Sequence, residues 1–288
     1  MDTPADDASR AGCRALGLAA AYLAVSLAWR VVMEGLTGLA IVVLMTQQGV
    51  PLKGLTPAVI SAHSSADLVA IASLVQLFGL LAIAVFMARW LGPDRLEAFA
   101  LKPVPAVFLV LTALGGATVG FFPGWVAQVL AKLLPFLDLG DLGMLNDLLL
   151  QSSWHGRLLM LIAVVGVAPF VEEAIFRGFL WRALEGALPP WGIWLATSAL
   201  FALYHVDPIH VMAVFFTGLF LGWLRWASGS VIPGMLAHLV NNGLAAVLVL
   251  ALPVDPDATN PWWAAVLSVA VTAAIAAALW RVRSREAT

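Results

Sequence analysis

Leu158 to Leu180 reads LLMLIAVVGVAPFVEEAIFRGFL, an apolar run of membrane-spanning length with Glu172, Glu173 and Arg177 in its second half. About 20 mostly apolar residues cross the hydrocarbon core of a bilayer as a helix, so this stretch predicts a transmembrane helix. Each ionisable group near mid-membrane costs on the order of 2.5–3.5 kcal/mol on insertion scales. Three of them within six residues imply mutual neutralisation, a water-filled functional cavity, or both together.

The rest of the chain is of the same kind. Of its 288 residues, 62% are hydrophobic and 11% charged, with mean hydropathy +0.96, whereas a soluble domain carries about 25% charged residues. Apolar stretches between Pro, Gly and charged punctuation predict an all-α, polytopic transmembrane bundle of about eight spans. They run from Leu16 to Met45, Leu68 to Leu91, Val104 to Leu134, Leu158 to Leu180, Trp191 to Tyr204, Ile209 to Trp226, Ile232 to Leu252, and Trp262 to Trp280. The first and third are long enough to tilt or break, and the fifth is short. Leu137 to Ser153 sets Asp138, Asp141 and Asp147 among leucines, as in an amphipathic segment lying at the interface.

Spans this closely spaced leave no room for a soluble domain, so residues 1–288 are expected to form one membrane-embedded unit. The lipid bilayer is its first partner. A net charge of −2 and no basic, aromatic-interleaved patch exclude nucleic acid as a partner class. Cys13 is the sole cysteine, so no intrachain disulfide can form. It precedes the first apolar run, which is too long for a signal-peptide core, and no cleaved leader is expected.

Lys and Arg in the short connections set orientation. With the N-terminus inside, the inner segments hold Arg10, Arg14, Arg89, Arg95, Lys102, Arg182, Arg225, Arg281, Arg283 and Arg285, and the outer ones Lys53, Lys132 and Arg157. Both termini are therefore expected in the cytoplasm. The scarcity of lysine beside arginine points, by a coding argument, to a bacterial host and its plasma membrane.

On a helix, Glu173 and Arg177 stand at i,i+4 and can pair, while Glu172 points about 100° away. The two carboxylates need not share a task. Pro169 cannot donate to the carbonyl of Val165 and should loosen the helix just before the pair. Two further polar sets follow: His205 closing the fifth span after Phe201, and His238 with Asn242 on one face of the seventh, Asn241 being less well placed. Buried charges normally persist when paired, which makes Glu173 with Arg177, and Arg30 with Glu34 in the first span, structural pairs first of all. A single membrane histidine is commonly a polar contact between helices. His205, Asp207 and His210 could also meet at a helix end as metal ligands. His63 and His155 fall in connections, with no role assigned.

Together, Glu172 to Arg177, Phe201 to His205 and His238 to Asn242 form the series Glu-Glu-x-x-x-Arg, Phe-x-x-x-His, His-x-x-x-Asn. In this the chain resembles the family of intramembrane proteases that includes the type II CAAX prenyl endopeptidases. The resemblance covers roughly Leu158 to Leu252, with a motif-bearing core of about 157–252. It implies an endopeptidase that cleaves a membrane-associated protein or peptide with a water held inside the membrane. By position Glu172 activates that water, His205, His238 and Asn242 complete the site, and Glu173 and Arg177 support it. Metal dependence stays open. A zinc held by His205, His238 and a glutamate is one option, and a water activated by glutamate alone is favoured. The alternative function is a proton- or ion-coupled transporter in which Glu172, His205 and His238 form a relay.

Overall fold

The structure, a computed structural model, describes residues 4–50, 59, 64–92, 94, 97–134, 140–252 and 260–286. Lys53, His63, Arg95 and Asp138 lie outside the described residues. The fold is an all-α bundle. In chain order come α1 (Pro4–Gln47), α2 (Ala66–Met87), α3 (Ala106–Val119), α4 (Phe121–Leu133) and α5 (Gly140–Gln151). They are followed by α6 (Trp154–Leu184), α7 (Pro190–Leu203), α8 (Pro208–Ser228), α9 (Ile232–Ala251) and α10 (Trp262–Glu286). Among the described residues, seven helices are long and apolar enough to cross a membrane, with α3 and α4 counted as one span.

The eighth expected span is α7, whose 14 residues extend only about 21 Å at 1.5 Å per residue, against a core of ~30 Å. α1 departs in the other direction. Its 44 residues form one unbroken helix of about 66 Å, so the polar N-terminal residues continue the helix well past a bilayer. The third span does break, at Gly120 between α3 and α4. Within the stretch expected to be an amphipathic segment, Leu137 to Ser153, α5 covers Gly140–Gln151.

Helix starts follow from local chemistry. The Ser65, Ser153 and Asp207 side chains accept from the backbone N–H of Leu68, Gly156 and His210, capping α2, α6 and α8. Proline opens α7, α8 and α9, where its missing N–H is not needed. The core gathers round the second half of α6. Phe179 and Leu180 are fully buried, with Tyr22 from α1, Leu80 from α2, Phe201 from α7, Leu221 and Leu224 from α8, Ala237 from α9 and Leu279 from α10 around them. On the periphery the apolar residues face outward instead: Leu27, Val31, Val32, Leu36 and Leu39 of α1 are all more than half exposed. That distribution suits lipid as the solvent.

Candidate active site

α6 is not a uniform helix. It widens into π turns at Ile162–Val167 and Ala174–Leu180, which flank the α-helical segment Ala168–Glu173 carrying both glutamates. In the first π turn the Ala168 N–H bonds to Ala163 O, five residues back. In that register the next donor would be Pro169 to Val164 O, and proline has none. The orphaned carbonyl is thus Val164, one residue earlier than an ordinary helix predicts. Asn242 of α9 takes it, donating from Nδ2 to Val164 O at 3.0 Å. The Asn241 amide in turn donates to Asn242 Oδ1 at 3.2 Å, which fixes the orientation of the Asn242 amide and leaves its second N–H free of a described protein partner.

The expected ion pair is present and closed. Arg177 Nη1 meets Glu173 Oε1 at 2.7 Å, with both side chains 0% exposed. Arg177 Nη2 donates to Gly218 O of α8 at 2.9 Å, and the guanidinium lies 4.4 Å from the centroid of the Phe201 ring. The other carboxylate oxygen of Glu173 faces the first turn of α9: a Cβ on Gly234 would stand 2.5 Å from Oε2. Only glycine permits that approach. It also brings the carboxylate to the partially positive end of a 20-residue helix.

Glu172 faces a different surface. Its Oε2 lies 3.8 Å from His238 Nε2, and its side chain keeps 15% exposure. The opposite nitrogen of the same imidazole, Nδ1, lies 3.5 Å from Glu173 Oε1. One histidine therefore joins both glutamates, a link invisible from the 100° between them on α6. Arg177, Glu173, His238 and Glu172 form a continuous chain of polar groups.

His205 enters through Phe201. Its Nδ1 donates to Phe201 O at 2.9 Å; a carbonyl can only accept, so in the neutral ring Nε2 is the free acceptor. The rings of His205 and His238 both pack edge-on against Phe201, at centroid distances of 5.1 and 5.7 Å. Phe201, backed by Phe176 and Arg177, is thus the wall on which both histidines rest. His210 contacts His205 with centroids 4.6 Å apart, but Asp207 Oδ1 accepts from the His210 N–H at 2.7 Å as the cap of α8. Among the described residues, no three His, Cys, Asp or Glu side chains converge as metal ligands. The donor set as arranged does not fit a zinc.

Sequence reasoning did not find the approach of Gly234 to Glu173, the bond from Asn242 to Val164, or a contact from Arg30 to the Tyr204 carbonyl. Pro169 signalled an orphaned carbonyl in that turn and pointed to Val165, but the π register leaves Val164 instead, and the sequence did not reveal its partner.

Fold and site together define a multi-pass helical membrane protein with carboxylates, imidazoles and a guanidinium gathered among its helices. Residues 154–244 match the Rce1-like family model, described as type II CAAX prenyl endopeptidase Rce1-like. At the level of that family the match supports a CAAX-type membrane protease, and the resemblance read from the three motifs is borne out. It lends the transport relay no support. No curated protein and no solved structure matches the chain.

Proposed function

We propose that the protein is an intramembrane endopeptidase that hydrolyses a peptide bond of a membrane-associated protein or peptide, with Glu172 activating the water. The observation that carries this reading is the 3.8 Å separation of Glu172 Oε2 and His238 Nε2 in a site that retains some exposure. Two polar atoms at that spacing can share one water about 2.8 Å from each. Glu172 takes a proton as the water oxygen adds to the scissile carbonyl carbon. The resulting oxyanion is stabilised by His238 and by the second N–H of Asn242. The C–N bond then breaks as the nitrogen receives the proton held by Glu172, leaving a carboxylate and an amine. The Nε2 lone pair of His205 offers the water a second acceptor.

Glu173 and Arg177 support this centre without joining the chemistry. Arg177 closes on Glu173 at 2.7 Å and His238 lies between the two carboxylates, since a low-dielectric interior keeps charges where partners surround them. In this reading residues 1–288 act as one membrane-embedded unit in a bacterial plasma membrane. Both termini lie in the cytoplasm, which requires an even number of crossings and makes α7 the eighth. Reporter fusions at Ala5 and after Thr288 should both report the cytoplasmic side; opposite sides would remove α7 from the count.

The functional test uses purified protein in liposomes with a library of peptides bearing an apolar anchor, assayed with and without a chelator. Cleavage that persists with the chelator is expected. Cleavage lost to chelator and restored by zinc would contradict the glutamate-only water. No cleavage of any anchored peptide would defeat the protease reading.

A further inference from the structure

The turn carrying His205 is strained. Val206 adopts φ +65°, a left-handed conformation that a β-branched residue rarely visits. The Asp207 N–H bonds back to His205 O at 2.7 Å, so the chain reverses within three residues, a rare and unfavourable turn. Such geometry persists only when the surroundings over-determine it. Downstream, the Asp207 cap on α8 holds it. What holds it upstream decides where His205 points.

The carbonyls at the end of α7 have identifiable acceptor roles. Leu200 O accepts from Tyr204 N, Ala202 O from His205 N and Leu203 O from Val206 N, while Phe201 O accepts from the His205 ring. Tyr204 O is satisfied from outside, by Arg30 Nη1 of α1. The same guanidinium lies 5.0 Å from the centroid of the Tyr204 ring, and its Nε donates to Glu34 Oε1 at 2.5 Å. At the far end of that side chain, the Tyr204 hydroxyl accepts from Gln76 Nε2 of α2 at 3.2 Å. Arg30 is itself placed by its neighbour: Trp29 Nε1 donates to Gln76 O at 3.2 Å, and its indole fills the notch at Gly79, where a Cβ would come within 2.4 Å. Tyr204 is gripped at backbone, ring and hydroxyl by two helices that lie wholly outside the matched segment 154–244.

We propose that Arg30, with Gln76, is a positioning residue: the bracket on Tyr204 maintains the strained turn at Val206 and so holds the His205 ring in its working pose. The proposal assigns the N-terminal helices a task in the site beyond packing. It rests on the protease reading for the importance of His205, but the bracket itself can be tested without a substrate.

The experiment is hydrogen–deuterium exchange on the full chain in liposomes, read at the amides of His205, Val206 and Asp207, which are all bonded in the turn. Arg30→Ala should speed their exchange about tenfold or more, with Arg30→Lys between it and wild type, while the α9 amides around His238 stay unchanged. Exchange in the turn within about twofold of wild type would overturn the bracket. On any peptide cleaved by wild type, Arg30→Ala should lower kcat about tenfold with KM within about twofold, and Arg30→Lys should recover part of the loss. Adding Val206→Gly, which removes the strain at that position, should shrink the Arg30→Ala defect. A defect of full size in that background, or one equally large in melting temperature and KM, would mean that Arg30 only packs. If wild type cleaves nothing, the protease reading fails, and the exchange data still decide the bracket.

Discussion

Two glutamates adjacent in sequence open onto unlike faces of α6. On the Glu173 face every neighbour closes in: a guanidinium at 2.7 Å, no exposure, and helix backbone tight against the second oxygen. On the Glu172 face the His238 imidazole stands off at 3.8 Å and some exposure remains. A membrane protein can in this way bury one carboxylate in a closed pair and keep its neighbour beside some exposed space. The bundle buries one acid completely against Arg177, leaving its second oxygen without a hydrogen-bond partner among the described residues, and His238 lies between that acid and the other. A tight pair is poor at chemistry because its proton and charge are already committed; a looser one can exchange both with a water.

The strongest way to break the closed face is Arg177→Ala. Stranding Glu173 without its partner should cost roughly 3–5 kcal/mol, readable as a clear drop in melting temperature in detergent. A wild-type melting temperature would end the structural role given to Arg177. Gly234→Ala probes the same face more gently, because its new Cβ would press on Glu173 Oε2 at 2.5 Å. A loss of about 1–3 kcal/mol is expected from the forced shift, and no loss would show that the carboxylate has room to move.

The smallest effect sharpens the boundary between the faces. Asn242→Ala should cost about 1 kcal/mol by freeing the Val164 carbonyl, in the range of hydrogen bonds between membrane helices. In a Pro169→Ala background residue 169 regains its N–H and can serve Val164 itself. The cost of Asn242→Ala measured there by unfolding should fall, and an undiminished cost would contradict the account of the π turn.

Hydropathy made the spans legible because each needs a long apolar run and little else. Two residues four apart likewise announced the pair of Glu173 and Arg177, and Pro169 announced a loosened helix. The shift from Val165 to Val164 was hidden, since the sequence does not declare a π register. Helix-to-helix contacts were hidden for a plainer reason. Arg30 and Tyr204 are 174 positions apart, and no local periodicity encodes such a contact. The same holds for Gly234, whose approach to Glu173 depends on how α9 crosses α6. Helix length was underdetermined only at the N-terminus, where α1 continues through polar residues that hydropathy alone assigns to a tail; the short fifth span was legible, and α7 has 14 residues.

In the proposed reading Glu172, and not its neighbour, is the base. The most direct measurement is the turnover of Glu172→Gln on an anchored peptide in liposomes, taken with its melting temperature. The amide preserves shape but cannot accept the water's proton, so turnover should fall by about 10²–10⁴-fold, the usual worth of a general base, with melting close to wild type. Near wild-type turnover of a folded Glu172→Gln protein would contradict the account.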